Sequence, residues 1–464
     1  MRGKKFTLLA VLLILALLAQ PAWAVQKIIS IQVGDKTAYS NGTSTTVYTN
    51  SKKSDITVKT ENDVDKVSID GVTVSSATYT FTYSNYEFYK GENLIYVRAR
   101  DSSGATTDSV VSTVYYYEAD EFYRLDNLFS GSGRITAFDK AFSLDVGKGN
   151  WFKNSSNDAT DDVGLNVAVE SRINDNFRSN TYLDFYSCVG PVYHVSTDST
   201  ASVKLAKPCT LAISIDKGVP ATQYPNLTIV RSKDNFNTVE IMGGVADLSR
   251  KTISTDPFLD LPGYSYTVML YNRVIDAGWA VFSVTPLMAK DAINKSVITA
   301  LDTNTTRRDF AKMMVKGLGV TLLPLPLPSV PVFSDIPVAD TDRLYIETAA
   351  AYGIMRGYND GTFRPDNPIT REEAAAVLAN VAELKLVEDE TLVTPVLDKI
   401  YTDSASISSW AAPAVLAVSK AKLMMGSPSG IAGEKRTVFA PTNNMNYKEA
   451  ATIVYNLMKK KKRI

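Results

Sequence analysis

The stretch GYNDGTFRPDNPITREEAA, residues 357–375, decides how the C-terminal part of this chain is read. A turn rich in glycine and aspartate runs through Pro365 to Pro368. Thr370 then stands where a helix N-cap belongs, and Glu373 three positions later completes a capping box. Arg371 occupies the first helical position, ahead of an alanine-rich run without catalytic side chains.

Two further segments follow the same plan. With Thr306, Thr370 and Asn446 aligned, the chain reads TRRDFAKMMVKGL, TREEAAAVLANVA and NYKEAATIVYNLM. Asp309, Glu373 and Glu449 share the third helical position, Asp309 as a shorter variant. Apolar residues recur at i, i+3, i+4 and i+7, which is one buried helical stripe per copy. Upstream, FSDI (333–336) and YTDS (401–404) each precede an alanine-rich helix, and Gly357 and Gly426 are placed as glycine C-caps. Phe363 and Phe439 each stand two residues before a proline. The unit is helix, glycine turn, aromatic-proline loop and capped helix, over about 284–323, 329–391 and 398–464. One unit cannot bury its stripe alone, so the three are expected to pack together. The first copy lacks the aromatic-proline loop, and its FSVT (282–285) has no aspartate. The third has Tyr447 in the arginine position, with Lys448 beside it as a point charge.

These residues resemble the S-layer homology family, whose pattern F-x-D, helix, G-I-x-x-G-Y-x-D-G-T-F-x-P, I-T-R-x-E runs here from Phe333 through Asp335, Gly357, Phe363 and Pro365 to Arg371 and Glu373. The resemblance implies an all-α pseudo-threefold bundle. It also implies non-covalent binding to secondary cell-wall polysaccharide, a polymer that commonly carries pyruvate ketals. A helix start offers unpaired N–H groups and the positive end of the macrodipole, and a guanidinium suits a carboxylate. The expected polymer-binding residues are therefore Arg371, Thr370, Glu373, Arg307, Asp335 and Gly357, with the best site at Arg371, a second at Arg307 and a structural third repeat. A solvated Arg371 paired with Glu372 is the alternative. YNDGT is a turn rather than a calcium loop, because Arg356 and Tyr358 stand where carboxylate ligands belong.

Residues 1–24 read as a secretory signal: Arg2, Lys4 and Lys5, an apolar segment from Phe6 to Ala19, and an Ala22-Trp23-Ala24 cleavage site. No later segment is apolar enough to span a membrane. The 49 basic and 49 acidic residues balance, so there is no global field for nucleic acid. The basic run Lys459–Arg463 is either solvated or a contact for an anionic wall polymer.

Residues 25–117 consist of short alternating runs separated by Asn-Gly and Asp-Gly turns, the pattern of a β-sandwich. Gly91, Asn93, Ile95, Val97, Ala99, Asp101 and Gly104 resemble the penultimate strand of bacterial immunoglobulin-like domains. Leu94, Tyr96 and Ala99 cannot all share one face without a bulge, so the sequence leaves the register of this hairpin open. Residues 118–283 predict a second antiparallel sandwich. Cys188 and Cys209 are an even count in an exported chain, which fits one disulfide, with two free thiols as the alternative. The cluster Asp158, Asp161, Asp162 is either a solvated loop or a calcium site. His194 reads as a strand or surface residue. Two all-β sandwich domains followed by the helical bundle make a multidomain surface protein, without cofactor or enzymatic motif. Its β domains project as an S-layer lattice, through self-assembly, or as a spacer. A glycan-active enzyme or an adhesin using residues 118–283 is the competing reading.

Overall fold

The computed structural model describes residues 27–464 except 46, 50, 90, 117–120, 125–132, 155, 157, 161–162, 171–184, 198–202 and 216–217. The signal segment and the carboxylates Asp161 and Asp162 therefore lie outside the described residues. The chain forms two compact units. One holds residues 1–121 with 167–172 and 191–194, and the other holds the remainder. The boundary expected at 283 thus falls inside a single compact unit, because the middle β segment and the helices share contacts.

In the first unit, two five-stranded sheets share one apolar core drawn from Ile31, Ile56, Val58 and Phe81 on one side and Val67, Ile69, Ile95 and Val97 on the other. The alternation in the sequence is the cause: side chains two apart line one face. Asp70 (φ 46°) and Gly71 (φ 86°) make the tight turn between strands Lys66–Ile69 and Val72–Ser75. In the last hairpin, Gly91–Arg100 against Thr106–Tyr116, the inward residues are Asn93, Ile95, Val97 and Ala99. Leu94 points outward, and the irregularity falls between Thr106 and Asp108 on the partner strand. The strand Gly91–Arg100 therefore needs no bulge of its own. The extra residue sets Asp108, whose carboxylate accepts the N–H groups of Lys27 and Ile28 at 2.8 Å each.

In the second unit, strand Tyr264–Tyr271 pairs with Leu227–Ser232, which pairs in turn with Glu240–Gly243. A second sheet runs, in spatial order, through Arg134–Ala137, Phe142–Asp145, Thr210–Ser214, Thr252–Ser254 and Val245–Asp247. The expected disulfide is absent: Cys188 and Cys209 are free thiols. Cys188 lies opposite Met269 in one sheet, while Cys209 bridges to Phe258 beside the other. Each thiol is held where its own ladder puts it, and burial pushes that of Cys209 up to about 12.

Among the described residues the first α-helix begins at Val281, three residues before the expected change. The α-helices among the described residues are α1 (Val281–Ala289), α2 (Arg307–Leu318), α3 (Arg343–Ala351), α4 (Arg371–Val381), α5 (Glu390–Ile400), α6 (Ala412–Lys420) and α7 (Tyr447–Lys460). FSVT lies within α1 and is no counterpart of FSDI; its Phe282 is 82% exposed. Helix α1 rests on strands Leu227–Ser232 and Tyr264–Tyr271, which is why all six residues of the former are buried. The helices pair across repeat boundaries: α2 with α3, α4 with α6, and α7 back to α1. No described helix is long and apolar enough to cross a membrane.

Candidate functional site

The two aromatic-proline loops are fastened from below by the aspartates of FSDI and YTDS. Asp335 accepts the N–H groups of Phe363 and Arg364 at 2.8 and 2.7 Å. Asp403 accepts those of Phe439 and Ala440 at the same two distances. The fastening explains a shared irregularity. Arg364 and Ala440, each just before a proline, adopt φ of 56° and 54°, a region non-glycine residues seldom enter. Two charge-assisted bonds per loop offset that strain. Asp335 thus holds a loop in place with both carboxylate oxygens. Gly357 is likewise no helix cap, because α3 ends at Ala351 and Gly353 takes the left-handed position with φ 65°. A Cβ on Gly357 would stand 2.4 Å from the Phe333 ring, and one on Gly426 would stand 2.8 Å from the Tyr401 ring. Both glycines admit the aromatic residue that opens the repeat.

The loops then meet at the starts of α2, α4 and α7. Thr305 donates to the Met445 carbonyl at 2.8 Å, Met445 to Ile369 at 3.0 Å, and Ile369 to Thr305 at 3.0 Å, which closes a cycle. The first helical N–H groups extend it. Those of Arg371 and Glu372 bond the carbonyls of Asn443 and Pro441, and those of Arg307 and Arg308 bond Asn367 and Pro365. Those of Tyr447 and Lys448 bond Thr303 and Leu301. Thr370 and Glu373 form the predicted capping box, as do Asn446 and Glu449. The expectation of free N–H donors at these helix starts is therefore overturned. The aligned dipoles are there, but their donors are taken by the neighbouring repeat.

The arginines cross the same boundaries. Arg371 is 8% exposed. Its Nε donates to the Phe439 carbonyl at 2.6 Å, one terminal nitrogen donates to Met425 O at 2.9 Å, and the other lies 3.4 Å from Glu449 Oε1. Burial lowers its pKa, against the attraction of Glu449. Arg307 repeats the arrangement with Phe363 O (2.9 Å), Arg356 O (3.1 Å) and Glu373 (3.8 Å). The third boundary differs: Tyr447 donates its hydroxyl to Asp309 Oδ2 at 2.6 Å. Repeat one has no aromatic-proline loop to receive a guanidinium there. Two departures that look unrelated in the sequence, the missing loop in one repeat and the missing arginine in another, are the two sides of one contact. Arg371, Arg307, Thr370 and Glu373 are brought together as inter-repeat ties, and Arg371 is not an open anion receptor.

The exposed face of the middle loop holds groups that the sequence reading passed over. The Arg364 side chain is 44% exposed, stacks 4.0 Å from the Tyr358 ring and pairs with Asp360 at 2.9 Å. Arg307 lies 4.7 Å from the same ring, and the Tyr358 hydroxyl donates to Glu373 at 3.0 Å. Hydrogen bonds from Thr362 and Arg364 hold the Asp360 carboxyl down at about 2, so it stays charged. The left-handed Arg364 was the available clue, but only the backbone reveals it. Lys448 pairs with Asp302 at 2.7 Å. The C-terminal basic run is no loose tail either: Lys461 pairs with Glu383 at 2.8 Å, and Arg463 pairs with Asp256. Among the described residues no group of three or more His, Cys, Asp or Glu could hold a metal ion.

Residues 333–375 and 400–451 match the family model of the S-layer homology domain. The chain carries an S-layer homology domain. It is 27% identical over 302 residues to an amylopullulanase of Thermoanaerobacterium thermosulfurigenes, a match that covers 64% of this chain and 15% of that protein. An endoglucanase of Bacillus sp. (strain KSM-635) is 32% identical over 36% of this chain and 17% of its own length. A cellulosome-anchoring protein of Acetivibrio thermocellus is 32% identical over 23% of this chain and 21% of its own length. The chain thus spans about a fifth or less of each relative. The S-layer homology domain makes it a secreted, cell-surface protein.

Proposed function

We propose that the chain is held non-covalently on secondary cell-wall polysaccharide by a pseudo-threefold S-layer homology module, with its β-rich regions displayed outward as a lattice or spacer. The observation that carries this reading is the closed cycle of backbone bonds through Thr305, Ile369 and Met445. It supports one rigid body built from three repeats, with repeated seams facing outward. Within the middle repeat, the accessible Arg364–Tyr358 surface is the contact for an acidic sugar, and Arg307 holds that surface in shape. A guanidinium on an aromatic face suits a carboxylate above a sugar ring. Weak contacts of this kind retain a protein by avidity when many copies share one wall.

Co-sedimentation with purified walls tests the proposal, before and after mild acid removes pyruvate ketals. Wild type sediments with untreated walls, and a chain lacking residues 281–464 does not. Arg364→Ala lowers retention without lowering the melting temperature. Equal retention of all three proteins would overturn the reading. Residues 118–283 carry the competing enzyme or adhesin reading, and activity on glycans retained after removal of residues 284–464 would favour the enzyme.

A further inference from the structure

The second unit contains a cleft of about 770 Å³ between its middle β segment and the helices α2 and α3, closed on one side by the connector 322–325. That size lies in the range of sites that enclose a small ligand. The charges around it are unevenly satisfied. Each carboxylate on its wall is committed: Glu240 to Arg231 at 2.8 Å, Asp260 to the Tyr264 hydroxyl at 2.9 Å and to Lys233 at 3.5 Å, and Asp256 to Arg463. Lys153 and Lys204 also line the cleft, and neither is ion-paired with any described residue. They are moreover direct partners on adjacent antiparallel strands. Like charges placed directly opposite on a ladder destabilise it. On the facing wall, Lys316 donates to the Ile241 carbonyl at 3.1 Å, and attraction from Tyr345 and Asp291 keeps its pKa raised in spite of burial. Lys316 therefore stays cationic.

We infer that this cleft binds a short acidic saccharide, its carboxylates placed between Lys153 and Lys204 and its ring faces along the leucine-bearing connector. The cost of the opposed lysines is then repaid when an anion sits between them. The inference is independent of wall anchoring by the repeats, since Lys153 and Lys204 stand on strands of the β segment, outside the repeats.

Titration calorimetry of the mature full-length chain with trigalacturonate, and with maltotriose as the neutral probe, tests it. Trigalacturonate binds, weakens as salt rises, and raises the melting temperature; maltotriose does neither. The double variant K153Q/K204Q loses at least tenfold in affinity while its own melting temperature stays equal or rises, because the repulsion is gone. K153R/K204R keeps binding. No binding of trigalacturonate, equal binding of maltotriose, or unchanged affinity in K153Q/K204Q each overturns the inference. Wall co-sedimentation of K153Q/K204Q is unchanged, so failure here is distinguishable from failure of the anchoring reading.

Discussion

The boundary between the second and third repeats and the boundary that closes the third onto the first do the same job with different chemistry. At the first, a buried guanidinium is shared among two carbonyls and Glu449. At the second, a phenol makes one bond to Asp309. The difference lies in the receiving loop. Where an aromatic-proline loop is present and fastened by an aspartate, it presents carbonyls that only a long, multi-donor side chain satisfies. Where the loop is absent, a tyrosine fills the space and needs one acceptor. A repeat is thus read correctly only together with its neighbour.

Several changes would break or sharpen this contrast. The largest effect is expected from Arg371→Ala, which removes a buried guanidinium and leaves the carbonyls of Phe439 and Met425 without their donor. Two acceptors left unpaired cost about 2–6 kcal/mol together, measured by urea denaturation, and retention on walls falls with it. Asp335→Ala releases the middle loop by removing two charge-assisted bonds, an expected loss of about 2–3 kcal/mol. A loss no larger than that of an exposed aspartate would contradict the fastening role.

The first repeat differs also in resting on the β segment, where buried Lys290 donates to the Gly244 carbonyl. Burial pulls its pKa down to about 8. The unfolded lysine holds its proton to about 10.4, so between these values the unfolded chain binds more protons and stability rises with pH. Lys290→Met should flatten that rise in thermal melts between pH 8 and 10.

Tyr447→Phe should cost about 1 kcal/mol, the worth of one hydrogen bond. Tyr447→Arg should cost more than Tyr447→Phe, because no loop carbonyls await a guanidinium there. If Tyr447→Arg were instead stabilising, the coupling between loop and arginine would be wrong. Least of all, Lys448→Ala should change stability by under about 0.5 kcal/mol, since its partner Asp302 is exposed.

Local pattern determined a good deal. The three aligned helices that start at Arg307, Arg371 and Tyr447, the capping boxes at Thr370 and Asn446, the Asp70-Gly71 turn and the strands of the N-terminal unit follow from spacing and caps that neighbouring residues define among themselves. Their physics acts over a few residues, so a sequence displays it directly. The roles of Arg371, Asp335 and Gly357 were decided elsewhere. Their partners, Glu449, the Phe363 amide and the Phe333 ring, are distant in the chain, and nothing local says whether an arginine at a helix start faces solvent or a neighbour's carbonyls. The same holds for Cys188 and Cys209, which an even count would join and two separate ladders keep apart, and for Lys153 and Lys204, which only strand pairing sets face to face. Contacts closed by tertiary packing depend on where other elements come to rest, and that information is spread over the whole chain.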